Sequence, residues 1–238
     1  MSRAEGDRGR WVLLIAVVIA VVLPRIPFVA WVQLPLGWLG TLAHETGHAL
    51  GALAVGGEVS GIEMFFNGSG VAHSSCPAEP LWYRAVISLA GLVGPAVVSA
   101  GLLWAALGPR LVRVCVGLLG AALWVEAFTL TQGFATVIAL SWGSMALLAA
   151  WKLPGRLLRL GTLVVAVQLA LQVYRGSGYL FVAEAHTGAG VLPSDVASIA
   201  SSLGGHYLLW GVGVGLLDLL LLGVGLLGFF FGERWLSR

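Results

Sequence analysis

The chain has 238 residues, of which 58% are hydrophobic and 10% charged, and its mean hydropathy is +0.94. Soluble domains carry about 25% charged residues, so this composition excludes an ordinary soluble domain and predicts a membrane protein. The net charge of +2 is too small, and the arginines are too dispersed, to suggest nucleic-acid binding. Cys76 lies in a polar segment and Cys115 in an apolar run, which predicts neither a disulfide framework nor a thiolate metal site.

The N-terminal segment resembles a secretory signal sequence. Arg3, Arg8 and Arg10 precede an apolar run, but no clear small-residue cleavage site follows this run. We therefore expect a retained first membrane helix, which Pro24 and Pro27 end early or kink.

Long apolar runs predict an all-α polytopic membrane protein with six or seven transmembrane helices. A spanning helix needs about 20 mostly apolar residues. The predicted spans are residues 11–30, 35–55, 84–107, 111–131, 133–151, 159–175 and 207–231. The count is six or seven because only the short polar stretch at residues 129–133 separates the fourth run from the fifth. We expect a single membrane-embedded domain over residues 1–238.

Two segments between the apolar runs are not spans. "EVSGIEMFF" and "GVAHSS" flank the turn signal "NGSG", which predicts a short β-hairpin directly after the second span. Residues 176–206 are polar and glycine-rich, and in them Ser194 and Asp195 precede "VASIASSL". Ser or Asp before such a run is typical of a helix start.

The distribution of Lys and Arg predicts the orientation of the chain. With seven spans, most of the 13 Lys and Arg residues fall on the side that holds Arg110, Arg113 and Lys152. The positive-inside rule places this side in the cytoplasm. A six-span count undoes part of this bias, so the sequence leaves both the span count and the orientation open.

The second span contains "LAHETGHALG", residues 42–51. His44 and His48 are four residues apart, so both imidazoles project from one helix face and can hold one zinc ion. Glu45 can act as the base toward a zinc-bound water, whose pKa the ion lowers to about 7. The alternative is a water-lined cavity with hydrogen-bonded histidines. Ionisable groups inside a membrane helix are costly and indicate function, which favours the metal site.

Three segments resemble known proteins. "AHETGHALGALAVGGEVSGIEMFFNGSGVA" (residues 43–72) is similar to the opening of the site-2-protease class of intramembrane zinc metallopeptidases, in particular the compact bacterial branch called M50B-like. "SLAGLVGPAVVSAG" (88–101) resembles the family's Ala-Gly-x-x-Gly-Pro segment, and "SDVASIASSLGG" (194–205) resembles a late Ser-Asp-Ala-type segment. The resemblance implies peptide-bond hydrolysis in or near the bilayer, Zn²⁺ as cofactor, membrane-protein or peptide substrates, and location in the bacterial plasma membrane.

The third zinc ligand stays open at the sequence level. The Asn-x-x-Pro…Asp-Gly segment that supplies it in better-characterised site-2 proteases is absent from this sequence. The late Ser-Asp segment makes Asp195 the first candidate, with a plain helix start as its alternative. Asp218 and Glu126, inside apolar runs, are the other acidic candidates. His73, His186 and His206 lie outside the clear spans and are candidates only if their loops fold inward.

The predicted function is that of a zinc-dependent intramembrane endopeptidase, with Glu45 catalytic and His44, His48 and Asp195 as metal ligands. A peptide substrate must unwind before hydrolysis, and an exposed edge of the predicted hairpin could bind it as an added strand. The alternatives are a catalytically inactive membrane scaffold of the same fold and a metal-ion transporter, although no repeat typical of transporters is present. The sequence identifies neither substrate, partner nor oligomeric state.

Overall fold

The computed structural model describes residues 3–22, 25–26, 33–75, 80, 82–175 and 179–236, so Pro24, Pro27 and Cys76 lie outside the described residues. These residues form eight helices and two two-stranded sheets, which confirms a mostly helical protein. The helices are α1 (Arg3–Val22), α2 (Gln33–Ala54), α3 (Trp82–Ala105), α4 (Pro109–Thr129), α5 (Phe134–Lys152), α6 (Gly155–Arg175), α7 (Asp195–Leu203) and α8 (Tyr207–Leu236). The strands are β1 (Glu58–Met64), β2 (Gly70–Ser75), β3 (Glu184–Thr187) and β4 (Gly190–Pro193).

Four of the described helices, α3, α4, α5 and α8, are long and apolar enough to cross a membrane. Each of the seven predicted spans overlaps one long helix, but α1 contributes only a shorter apolar segment, Arg10–Val22. Helices α2 and α6 are 22 and 21 residues long, yet they carry the polar side chains that line a central cavity. The chain is an integral membrane protein.

Glycine and proline set the ends of α4 and α5. Helix α4 begins at Pro109, directly after its N-cap residue Gly108, because proline at the first helical position gives up an N–H that has no partner within the helix. Helix α5 follows Gly133, whose φ of 56° lies in the left-handed region that favours glycine. It ends at Lys152, two residues before Pro154. These breaks confirm that the fourth and fifth apolar runs are separate helices.

Helices α2 and α3 pack with their backbones in close contact. A Cβ atom on Gly47 would lie 2.3 Å from the carbonyl oxygen of Ala90, and one on Gly94 would lie 2.5 Å from the carbonyl oxygen of Ala43. A Cβ on Gly51 would lie 2.7 Å from the Cβ of Ala90. Small residues permit this approach between membrane helices. The close contact fixes the position of α2, which carries the histidines.

The predicted hairpin is formed by β1 and β2, which pair antiparallel across a turn with Gly68 at φ 89°. The side chains of Ile62 and Met64 are buried in the core between α2 and the α4–α5 pair. The N–H of Ile62 donates to the carbonyl oxygen of Leu130 (2.7 Å), and the N–H of Gln132 donates to the carbonyl oxygen of Ile62 (2.9 Å). The outer edge of β1 is therefore occupied by the segment that joins α4 to α5.

Strands β3 and β4 form a second antiparallel hairpin, which the sequence analysis does not predict. Its turn, residues 187–190, contains two glycines, and this was the available signal. The backbone N–H of Gly188 donates to Oγ of Ser69 at 2.9 Å, so the tips of the two hairpins meet. This chain segment then leads directly into α7.

Candidate metal centre

Helix α2 presents the two imidazoles of the motif on one face, one helical turn apart. The Nε2 atoms of His44 and His48 are 3.0 Å apart. The other ring nitrogen of His48, Nδ1, lies 2.9 Å from the carbonyl oxygen of Ile87 in α3. A hydrogen bond there directs Nε2 of His48 toward His44, as outer hydrogen bonds do for metal-binding histidines.

Gly91 of α3 leaves the space that the His48 ring occupies. A Cβ atom on Gly91 would lie 2.2 Å from Cε1 of His48 and 2.4 Å from both ring nitrogens. No side chain fits in that space unless the ring or a helix moves. The Ala-Gly-x-x-Gly-Pro segment thus has a physical role in this chain, because it lets α3 contact the imidazole directly.

The third candidate ligand is acidic and comes from a segment about 150 residues further along the chain. Asp195 is the first residue of α7, and its Oδ2 lies 3.1 Å from Nε2 of His44 and 3.4 Å from Nε2 of His48. Ser194 is the N-cap of α7, and its Oγ accepts a hydrogen bond from the N–H of Ala197. The two interpretations of the Ser-Asp pair are compatible, since the pair begins a helix and also directs a carboxylate to the imidazoles.

His44, His48 and Asp195, called here the His–Asp cluster, form a donor set of a kind that zinc binds. Among the described residues they are the group of His, Cys, Asp and Glu side chains whose ligand atoms lie within 4.8 Å of one another. Zinc binds such atoms at about 2.0–2.2 Å in a tetrahedral arrangement, which sets neighbouring donors roughly 3.3–3.5 Å apart. The separations of 3.0, 3.1 and 3.4 Å fall close to that range. Three protein ligands also leave a fourth position open, as catalytic zinc sites require.

Glu45 lies beside the cluster, where β2 passes over it. Its side chain is 4% exposed, and its carboxylate interacts with the backbone N–H of Ala72. A Cβ atom on Gly70 would lie 2.7 Å from Cγ of Glu45, so glycine is needed for β2 to approach this closely. The hairpin therefore contacts the residue that the sequence analysis predicts to be catalytic.

A cavity of about 510 Å³ opens beside His44 and Glu45. Its walls come from α2, α3, α6, α8, the turn of the first hairpin and the segment at residues 179–187. Ligand sites usually measure about 300–1,000 Å³, so the cavity can hold part of a peptide. Polar side chains from α6 and α8, among them Gln172 and Asp218, also line it.

Comparison with known proteins identifies a family that this chain matches. The family model described as Peptidase M50B-like matches residues 12–225. The chain belongs to this family. No curated protein and no solved structure matches it. The predicted resemblance to the site-2-protease class is thus confirmed, whereas a bacterial origin stays a prediction.

The other acidic candidates of this M50B-like chain lie outside the His–Asp cluster. Glu126 is 8% exposed and accepts a hydrogen bond from Oγ1 of Thr46, which lies on a different face of α2 from His44. Asp218 is 1% exposed and lines the cavity. Neither carboxylate belongs to the group of ligand atoms that the structure brings together.

The three remaining histidines also lie apart from the cluster. His73 is exposed, with its Nε2 3.6 Å from Oε2 of Glu63, and His206 is exposed and stacks on Tyr207. His186 is exposed as well, but it lies in the cavity lining through β3. In the described part of the M50B-like chain, none of them contributes to the donor set.

Tyr179 is a neighbour of the cluster that the sequence analysis misses. Its hydroxyl donates to Oδ2 of Asp195 at 2.9 Å, and its ring packs nearly perpendicular to that of His44, with centroids 6.1 Å apart. Burial, together with the nearby carboxylate of Asp195, raises the pKa of the Tyr179 phenol, so the phenol stays protonated and donates. Burial opposes ionisation of Asp195, but attraction to His48 and hydrogen bonds to both imidazoles outweigh it and lower the pKa of Asp195.

Proposed function

We propose that the M50B-like chain is a zinc-dependent intramembrane endopeptidase that hydrolyses peptide bonds of membrane-associated substrates. One observation carries this proposal. Two imidazole nitrogens and a carboxylate oxygen converge to within 3.0–3.4 Å at the wall of a cavity that also contains Glu45. Binding a metal needs the three donors, but it does not need a second carboxylate beside them that is not a ligand. The presence of Glu45 favours hydrolysis over a scaffold that only binds metal.

Each residue of the site has a proposed role. His44, His48 and Asp195 hold the ion, which when bound lowers the pKa of a water to about 7 and polarises the scissile carbonyl. Glu45 takes the proton of the attacking water and delivers it to the leaving amine, so that one carboxylate serves as base and then as acid. Tyr179 positions the Asp195 carboxylate through the hydrogen bond to Oδ2.

The outer edge of β2, where Ala72 contacts Glu45, supports a binding mode for an extended substrate. Ile62 bonds to the α4–α5 segment through both its N–H and its C=O, so these groups point away from β2. Ala72 is the register partner of Ile62, and in an antiparallel pair its N–H and C=O therefore point away from β1. This is the edge that meets Glu45. We infer that an unwound peptide adds to β2, whereas the edge of β1 is already occupied.

The test compares purified wild type with Glu45→Gln in detergent. We expect about one zinc per chain in both proteins and cleavage of membrane peptides by the wild type alone. General-base loss costs on the order of 10²–10⁴-fold in rate. A chelator should abolish wild-type cleavage, and added zinc should restore it.

Two results would count against the proposal. Zinc in both proteins with cleavage in neither favours the inactive scaffold, and equal cleavage by both removes Glu45 from catalysis. For the strand-addition part, a cleaved peptide is made again with single N-methyl amides beside its scissile bond. Cleavage should fall most at alternate positions, because every second residue of an added strand faces the edge. A loss that follows no alternation argues against binding at β2.

A further inference from the structure

The cavity contains a buried carboxylate that the proposed chemistry does not use. Asp218 lies in α8, within a span of mean hydropathy 2.3, and is 1% exposed. It lines the same cavity as His44 and Glu45 and interacts electrostatically with His44. An ionisable group at such a position in a membrane protein is costly and marks a functional pathway or site.

Asp218 lacks the partner that a buried carboxylate normally has. Neither Oδ1 nor Oδ2 has a hydrogen-bond partner among the described residues. Glu126 provides a contrast, since it is similarly buried but lies outside the cavity lining and receives a hydrogen bond from Thr46. A buried acceptor without a donor is unfavourable, so the missing donor of Asp218 is expected from a group that enters the cavity.

The buried side-chain atoms of the described cavity lining that lack a hydrogen bond are all acceptors. In the described lining, the buried side-chain atoms without a hydrogen bond are Oδ1 and Oδ2 of Asp218 and Oε1 of Gln172, and every one is an acceptor. The described lining also contains two carboxylates, those of Glu45 and Asp218, and no lysine or arginine, and the carboxylate of Asp195 lies next to it, 3.1 Å from His44. A dication on the His–Asp cluster offsets the charge next to it. The negative charge of Asp218 and the acceptor atoms without a hydrogen bond favour a cationic ligand with several hydrogen-bond donors.

Resting on the proposed peptidase function, we propose that Asp218 is a specificity residue that receives the side chain of a lysine close to the scissile bond of the substrate. A lysine ammonium carries one positive charge and three donors, and the Asp218 carboxylate offers a negative charge and two acceptor atoms without a hydrogen bond. The flexible aliphatic stem of lysine suits a cavity whose lining also includes the apolar residues Leu92, Pro95 and Leu180. The expected substrate class is therefore a membrane segment with a basic residue at its cleavage region.

The test measures binding, so that it does not depend on turnover. An alanine–leucine host peptide of about 20 residues carries, at each position in turn, lysine, acetyl-lysine or norleucine, the last two being neutral. Binding to the zinc-loaded Glu45→Gln protein is followed by fluorescence anisotropy. At one or a few neighbouring positions, lysine should bind about tenfold or more tightly than both neutral residues, a ratio typical of a desolvated charge pair. Adding Asp218→Asn should bring this ratio close to one.

Matched variants and outcomes make the test decisive. Glu126→Gln removes a comparable buried carboxylate outside the cavity lining and should leave the lysine preference intact. Equal binding of lysine and norleucine at every position overturns the proposal, and this comparison needs no Asp218 variant. A lysine preference that survives Asp218→Asn also overturns it, as does loss of zinc from that variant, which would assign Asp218 to the cluster. A lysine preference in a wild type that cleaves no peptide refutes the peptidase and leaves the binding site standing.

Discussion

The two segments that meet in the His–Asp cluster are held in place by different forces. Helix α2 is fixed by steric fit, because Gly47 and Gly94 bring its backbone against that of α3 and Gly91 receives the ring of His48. The Asp195 side is fixed by polar contacts at the start of a helix of only nine residues. Steric contact between long helices tolerates no added atom, whereas a hydrogen bond can be removed without a clash.

Three hydrogen bonds hold the segment that carries Asp195. Oγ of Ser194 donates to the carbonyl oxygen of Val182 at 2.6 Å, and the N–H of Ser194 donates to the carbonyl oxygen of Ala183 at 2.9 Å. The hydroxyl of Tyr179 then donates to Asp195 itself. These bonds determine where the carboxylate lies relative to the imidazoles. Small changes on the histidine side should therefore reduce zinc affinity severely, whereas changes on the aspartate side should reduce it by smaller, graded amounts.

The largest effect is expected from Gly91→Ala. The added methyl group would overlap the His48 ring, so the ring must leave the carbonyl of Ile87 or α3 must move away from α2. We expect zinc affinity to fall by about 100-fold or more, the upper end for loss of an outer-shell contact. Zinc content after dialysis against a graded chelator series measures it, with cleavage as a second readout.

The matched control for this change is Gly101→Ala in the same helix. A Cβ atom there meets no other atom within 4 Å, and alanine is about 1 kcal/mol better than glycine in a helix. This variant should keep its zinc and unfold at the same or a slightly higher temperature. Retained zinc in Gly91→Ala would show that α3 moves away from α2 at little cost. Steric contact would then not fix the histidine side more firmly than hydrogen bonds fix the aspartate side.

The same contrast explains how much of the site could be predicted from the sequence. His44, Glu45 and His48 are local on one helix, and the hairpin after them is marked by its "NGSG" turn, so periodicity and turn chemistry suffice to predict both. Asp195 could be named only as one of three acidic candidates, since its approach to α2 depends on contacts between distant segments. A hydrophobic pattern determines which face of a helix is buried, but it does not specify the neighbour that this face meets.

The remaining parts of the site lacked a local signal of their role. Gly91 belongs to a recognisable segment, yet nothing in its sequence neighbours indicates that it contacts an imidazole. Tyr179 lies in a polar connection without a motif, and its partner Asp195 is 16 residues further along the chain. The second hairpin had a usable turn signal, and its strands are short and mostly exposed, so they lack the alternating pattern of a half-buried strand.

A smaller, graded effect is expected from Tyr179→Phe, which sharpens the comparison on the aspartate side. Phenylalanine keeps the ring that contacts His44 and loses only the donor to Oδ2 of Asp195. Zinc affinity should fall by about 10-fold, with little change in unfolding temperature, because no cavity or clash is created. Tyr207→Phe, outside the cavity lining, is the control. If Tyr179→Phe loses zinc as completely as Gly91→Ala, the polar contacts are as indispensable as the steric ones; if its affinity is unchanged, Asp195 is held without the phenol.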